Sequence, residues 1–406
     1  MKRLLAVLLA GSLLISLTAC NSTLSKDKKK LQTSELVLAL REGTYAEVVK
    51  HDLKEFEDTY GVSCHILELS ESDLHDLAVG EFKQKADLVM VDGSWVAELG
   101  EKERLVDLAE YGYTLDMDII PATTTISYYN NHLYVVPYYG NVTVLLYNKS
   151  LLSQTKYDFD NLDNMDAIYV ACMKAQQEGK NGFLYRGDTN SNIVVDFMPI
   201  LLSFGGWVVD YDNRPIVNEQ EFKDAFNFYL RLIDTGEAMD KETLIASIDS
   251  GDSLMAIGWP GWYMPSNSSA ADYGPLEGRA SSDDAVYNAN VYGIWTLGVS
   301  ADSTNPQMAE KLIEYLMDPQ VQKDSIAVGG VPCRYSSLNN QDVLRQYPHY
   351  QSICLALESG QYRPLITQWN DFCDILGAHM REAIEDKKSS TDCLNAAQEE
   401  LEKLMN

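Results

Sequence analysis

After residue 20 the sequence has no stretch of about 18 consecutive apolar residues, so nothing in the body of the chain reads as a membrane span. It has no HExxH, no GxSxG and no GxxxxGK followed by Ser or Thr; the Gly-Lys of "EGKNG" lacks the spacing of a phosphate loop. Cations are scarce. Lys and Arg number 32 against 60 Asp and Glu, a formal charge of −28. Such a surface repels phosphate backbones, which excludes nucleic acid as a partner and argues against an anionic substrate. Cysteine is sparse too, with seven residues and no CxxC, and the six His (51, 65, 75, 132, 349, 379) are scattered. No metal-ligand spacing and no other cofactor motif emerges. No internal repeat is present either.

What is there begins at the first residue. Lys2 and Arg3 precede an almost unbroken apolar run from Leu4 to Leu17, and "LTAC" ends at Cys20. A short basic start, an apolar core too short to span and a small-residue cleavage site read as a secretion signal over residues 1–19. Leu17-Thr18-Ala19-Cys20 resembles the lipobox of bacterial lipoproteins, which implies lipidation at Cys20 and anchoring to the outer face of the cell membrane, at a cell surface or in a periplasm. The polar stretch 20–34, rich in Ser, Thr and Lys, has too little apolar surface to fold and reads as a tether. Without Lys2 and Arg3, and with no acid before Cys20, the formal charge becomes −30. Six cysteines then remain (64, 172, 333, 354, 373, 393). An even number outside the cytoplasm permits disulfides; their dispersion reads most of them as small buried hydrophobes, and the pairing stays open.

The mature body of nearly 390 residues exceeds one ordinary core, so two lobes are expected. "ELVLAL" (35–40) suits a buried strand, and "YAEVVKHDLKEFEDTYG" places Val48, Val49, Leu53 and Phe56 at helical spacing before Gly61. "VSCHILEL" and "ADLVMVD" continue an alternation of strands and helices, the pattern of a parallel sheet covered on both faces. "LYVVPYYGNVTVLLYNKSLL" (133–152) is long and extended and suits a passage between lobes; a second α/β region follows it. The fold class expected is therefore α/β.

In open α/β sheets, ligands sit beyond the carboxyl ends of strands. Glu42 follows the first strand, Asp92 and Trp95 the third, and "SLMAIGWPGWYMPSNSS" (253–269) delivers Trp259, Trp262 and Tyr263 on a Gly/Pro turn after a later one. All six Trp fall in or beside expected turns or element ends, and Tyr outnumbers Phe by 24 to 10. Indole and phenol rings cover the C–H faces of a sugar, while carboxylates, amides and guanidinium groups satisfy its hydroxyls. Candidate ligand residues are Glu42, Asp92, Trp95, Tyr139, Asn141, Asp196, Trp259, Trp262, Trp295 and Arg334. Each has a plainer reading. A Trp can plug a gap between lobes, Asp196 and Glu42 can be cap or surface charges, and Arg334 can serve a salt bridge. No catalytic residue stands out. Sixty acids still leave room for a facing carboxylate pair, so a carbohydrate-active hydrolase stays open as the alternative.

The lipobox, "ADLVMVDGSWVAELGEKERLVDL", "YVVPYYGNVTVLLYNKSLL", "SFGGWVVD", "SLMAIGWPGWY" and "GIWTLGVSADSTNPQMAEKLIEYLMDPQVQ…GGVPCR", in this order, resemble an extracellular solute-binding protein of the maltose/trehalose type. The likeness runs over essentially the whole mature chain. Such proteins are the capture subunits of carbohydrate ABC importers. The resemblance implies a two-lobed periplasmic-binding-protein-like fold of type II with a ligand cleft between discontinuous lobes, 35–143 with 300–346 and 148–297 with 350–406, and hinges at 144–147, 298–299 and 347–349. It implies a monomer that captures a di- or oligosaccharide, closes, and delivers it to the permease without chemistry. A sugar sensor of the same fold differs only in its partner. By the same resemblance, Asn141 is a polar sugar contact, Asp92 and Trp95 are contacts from the first lobe, Trp259 and Trp262 form the aromatic wall, and Arg334 is the polar residue of a "GGVPxR" turn. Cys333 departs from the pattern, standing where Pro or a small residue is expected.

Overall fold

A computed structural model describes residues 35–81, 83–157, 162, 164–266, 269–276 and 289–405. The expected signal, Cys20 and the tether lie outside the described residues. The first strands run β1 (Glu35–Arg41), β2 (Ser63–Leu69), β3 (Leu88–Asp92), the short pair β4 (Tyr128–Tyr129) and β5 (His132–Leu133), and β6 (Val135–Tyr139). Then come β7 (Val144–Asn148), β8 (Asn181–Arg186), β9 (Ala238–Met239), β10 (Ser253–Gly258) and β11 (Ala271–Gly274). The last are β12 (Val291–Tyr292), β13 (Trp295–Val299) and β14 (Gln361–Tyr362).

These strands build two five-stranded sheets, ordered β2-β1-β3-β13-β6 and β11-β7-β10-β8-β9. The expectation of parallel strands holds for β2, β1 and β3, which pair parallel. It fails beyond them, because β13 runs antiparallel to both β3 and β6. The second sheet is mixed in the same way, with β10 parallel to β8 and antiparallel to β7. Strands β3, β6, β7, β10 and β13 are buried along their whole length, which is why they read as continuous apolar runs.

Helices cover the sheets as their apolar spacing requires. The helix Thr44–Tyr60 buries Val48, Val49, Leu53 and Phe56, and Gly61 ends it in the left-handed conformation. Burying Phe56 alone stabilises the lobe by about 2–3 kcal/mol relative to leaving it exposed. The second lobe's main core gathers Phe197, Phe222, Phe226, Tyr229 and Phe372 from three helices. All six cysteines after Cys20 are free thiols, five of them buried. Cys333 has 0 % exposure and lies in the first core with its thiol pushed up by burial, so it is packing material. Among the described residues, no helix is long and apolar enough to cross a membrane.

The passages between sheets differ from the expected hinges. Residues 144–147 lie within β7, and 298–299 lie within β13. A strand bonded on both sides cannot absorb a dihedral change without breaking its ladder. Residues 347–349 lead into the helix Tyr350–Ser359, whose Tyr350, Ile353 and Leu357 belong to the first core. The chain instead leaves the first sheet after Tyr139, returns through 289–294, and passes again after Ser359. These three segments bond to one another. Val142 bridges Tyr292, the Thr143 N–H donates to the Val291 carbonyl at 3.0 Å, and β12 pairs parallel with β14. The lobe boundaries shift accordingly: β13 and the helix Tyr350–Ser359 sit with the first lobe's elements.

Candidate ligand-binding cleft

On one side of these three passages, strand ends of both lobes converge on a cavity of about 500 Å³. That lies within the roughly 300–1,000 Å³ of small-molecule sites. The first lobe supplies Arg41 ending β1 and Glu42 after it, Tyr45 from the next helix, Glu71 from the start of the helix Glu71–Val79, Asp92 ending β3, and Trp295 opening β13. Second-lobe groups are Arg186 ending β8, Asn192, Lys241, and the turn from Trp259 to Trp262 after β10. Asn141 and Arg363 come from the passages. A larger groove, about 980 Å³, lies beside Trp207, Tyr211, Tyr292 and Tyr362 and shares Arg363 with the cleft. The smaller cavity is the candidate, because only there do strand ends and charged groups of both lobes meet.

The aromatic wall is held by its backbone. The Trp262 N–H donates to the Trp259 carbonyl at 2.9 Å, and the Tyr273 hydroxyl donates to the same oxygen at 2.7 Å. The indole of Trp259 occupies the space beside Gly293, where an added Cβ would stand 2.6 Å from its ring. Its Nε1–H is buried without an acceptor among the described residues. Gly261 lets the turn approach Tyr45, whose hydroxyl would be 2.8 Å from a Cβ there. Asn141 ties both sides together: its Oδ1 accepts from the Gly261 N–H at 3.2 Å, and its Nδ2 donates to the Tyr45 hydroxyl at 3.3 Å.

Most of the charges are paired within the protein. The Arg363 guanidinium donates from Nη2 to both oxygens of Asp92, at 2.6 and 2.9 Å. Asp92 Oδ1 also accepts from the Ser94 N–H and hydroxyl. The Arg186 guanidinium donates from Nε to the two oxygens of Asp196 at 3.1 and 3.2 Å, and from Nη2 to Oδ1. Its cationic carbon lies 4.8 Å from the centre of the Trp262 ring, so one indole face is already occupied. Arg41 pairs with Glu42 and Lys241 with Glu242. Glu71 lines the cavity and has no hydrogen-bond or ion-pair partner among the described residues. Protein surrounds it closely enough that desolvation, then Asp92, push its pKa above the usual carboxylate range, while Arg41, Arg363 and Arg186 oppose the shift.

Six of the ten expected ligand residues line this cavity: Glu42, Asp92, Asn141, Trp259, Trp262 and Trp295. The other four do not. Trp95 is buried behind Trp295, edge-to-face at 5.5 Å, and supports that ring. Tyr139 is buried behind Tyr45 at 4.7 Å between ring centres, and its hydroxyl donates to the Gly329 carbonyl. Asp196 is buried on the helix Asn190–Ser203 and holds Arg186. Arg334, only 1 % exposed, bonds Asp116 at 2.6 Å, Asp118 at 3.0 Å and the Met317 carbonyl at 2.7 Å, so it closes a first-lobe loop. Tyr45, Glu71, Arg186, Lys241 and Arg363 were not anticipated. Arg41, Glu71 and Arg186 do stand at strand or helix ends, the signal used for Asp92, whereas Arg363 carries no such mark.

Residues 53–351 match the model of the bacterial extracellular solute-binding protein family, and the chain belongs to that family. The fold agrees with solved structures of solute-binding proteins. A maltose-bound protein of Thermotoga maritima superposes with a TM-score of 0.81 at 23 % identity, over 92 % of this chain and 100 % of that one. A Thermotoga lettingae ABC transporter solute-binding protein bound to α-D-tagatose gives 0.80 at 20 % identity, over 92 % and 100 %. A counterpart from Agrobacterium radiobacter in complex with ribitol gives 0.79 at 21 % identity, over 91 % and 98 %. These likenesses define the two-lobed periplasmic-binding-protein fold. A probable amino-acid ABC transporter periplasmic-binding protein of Sinorhizobium fredii is 22 % identical over 251 residues, which span 58 % of this chain and 56 % of that relative.

Proposed function

We propose that this protein captures an uncharged carbohydrate of di- or oligosaccharide size, of the maltose/trehalose kind, between its two lobes, closes on it without chemistry, and delivers it to an ABC permease. One observation carries the reading. Three indoles, Trp259, Trp262 and Trp295, share a single cavity with charges that, Glu71 excepted, are already neutralised in pairs. Paired guanidinium and carboxylate groups keep spare donors and acceptors for hydroxyls while offering little net field to an ion. Sugar and polyol ligands in the three superposed proteins support the same reading. The amino-acid label of the Sinorhizobium relative favours another solute. An amino acid needs both a free cation and a free anion; Glu71 offers the anion, but the cleft arginines Arg186 and Arg363 already hold Asp196 and Asp92, and Arg41 and Lys241 pair with Glu42 and Glu242.

Lipid at Cys20, if joined by further acyl chains, would hold the protein beside its permease. Calorimetric titration of residues 31–406 with maltose, trehalose, sucrose, cellobiose, xylobiose and longer oligomers tests the proposal, with the sugars analysed afterwards for cleavage. Saturable binding of an intact sugar is expected. Cleaved oligomers would replace the trap by a hydrolase.

A further inference from the structure

Among the described residues, Glu71 is the cleft carboxylate left without a hydrogen-bond or ion-pair partner. Glu71 opens a first-lobe helix, where Ser70 already caps the backbone by accepting from the Asp73 N–H at 3.1 Å. The carboxylate is therefore not needed to hold the helix start. It points into the cavity that Arg186 enters from the second lobe, and the two influence each other electrostatically without touching. Arg186 is rigid. Asp196 grips it through both oxygens and through its backbone N–H at 3.0 Å, and the Trp262 ring lies under its guanidinium. That grip uses Nε and one hydrogen of Nη2, so Nη1 retains donors.

We propose that Glu71 and Arg186 form an electrostatic latch across the cleft, drawing the lobes together and setting the pH range in which the protein holds its ligand. The inference rests on the reading of the cleft as a ligand trap. Closure shortens the distance between the two charges and removes water from between them, so their attraction grows as the lobes approach. An attraction stronger in the closed state than in the open one shifts the population towards closure. The same linkage runs through the proton. The ionised carboxylate favours the closed state, so closing lowers the Glu71 pKa and protonation opposes closing.

Other charges face Glu71 and set the background. Asp92 on β3 repels it, while Arg41 ending β1, Arg363 on the third passage and Arg186 on β8 attract it. Arg41 and Arg363 reach it from segments that hold Glu42 and Asp92, so Arg186 is the attracting charge supplied by the opposite lobe. Because its carboxyl titrates above the usual carboxylate range, the latch is complete well above pH ~4.3 and fails as pH falls through the raised value.

The test is an interlobe distance measured by double electron–electron resonance on the ligand-free chain, with one nitroxide on each lobe at the cleft mouth, between pH 8 and 4. The wild-type distance should lengthen as the pH falls, whereas Glu71→Gln should give the long distance throughout. Parallel pH responses in the two proteins would overturn the latch, and so would no response in either. This arm needs no ligand, so it stands even if no sugar binds. With a bound sugar, Glu71→Gln should weaken affinity about ten-fold at neutral pH and flatten its pH profile. Arg186→Gln and the double variant complete a cycle, in which a double loss smaller than the combined single losses supports the latch and strict additivity contradicts it. Glu71→Gln removes no native hydrogen bond, so its folding is secure if Arg186→Gln proves unstable.

Discussion

Gly293 carries no side chain, and the Trp259 indole fills the space beside it. An alanine Cβ there would sit 2.6 Å from the ring, closer than real contacts allow, so the indole must move. Gly293→Ala should weaken ligand binding about ten-fold by calorimetry and cost about 1–3 kcal/mol in thermal denaturation, as overpacking does. His349 supplies a second single-residue prediction. Burial, with Lys149 adding, depresses its pKa to about 4 against the pull of Asp272. The unfolded chain binds that proton more readily, so the contribution is complete above pH ~6.5 and is lost on acidification towards pH 4. It amounts to about 3 kcal/mol at most. Thermal midpoints measured from pH 7 to 4.5 should fall less steeply for His349→Gln than for the wild type. Residues of these two kinds were not equally legible in the sequence. Trp259 and Trp262 stood out because Gly, Pro and Trp coincide at a strand end. The arginines did not, since a guanidinium's role depends on which acid lies across the fold. Arg334 found Asp116 and Asp118, far from the cleft, whereas Arg363 found Asp92 inside it.

Helix and strand ends do the positioning. The helix Asn190–Ser203 carries Asp196 two turns into its length, and Asp196 aims Arg186 from the end of β8 at the Trp262 face. Asp196→Asn keeps the shape but removes the charge that a buried guanidinium requires. Thermal denaturation should show a loss of about 3–5 kcal/mol, and the Trp emission of the ligand-free protein should shift as Arg186 leaves the indole. An unchanged spectrum would mean that Arg186 stays on Trp262 without its acid. Elements with a local period were readable, such as the helix Thr44–Tyr60 and the strands β1 and β3. The place of β13 was not. "GIWTLGV" reads as a buried strand, but its insertion between β3 and β6 joins residues some 160 to 210 positions apart, which no periodicity encodes.

Three passages connect the lobes, and they bond to one another along Val142, Tyr292 and Tyr362. The extended stretch 133–152 announced the first passage, although its turning point lies at 140–143, before β7 begins. The other two were misplaced because their ends are set by core membership, which the linear sequence does not display. Two lobes that share such a ribbon can rotate about it, the hinge arrangement that ligand-gated closure uses. The account's central claim is that a sugar closes this cleft by lying against the indole wall. Titration calorimetry of residues 31–406 with the disaccharide panel, repeated on Trp262→Ala, tests it most directly. One intact sugar should bind saturably, with negative heat-capacity change and at least about ten-fold weaker affinity in the variant. Silence across the panel, or unchanged affinity in Trp262→Ala, would contradict it.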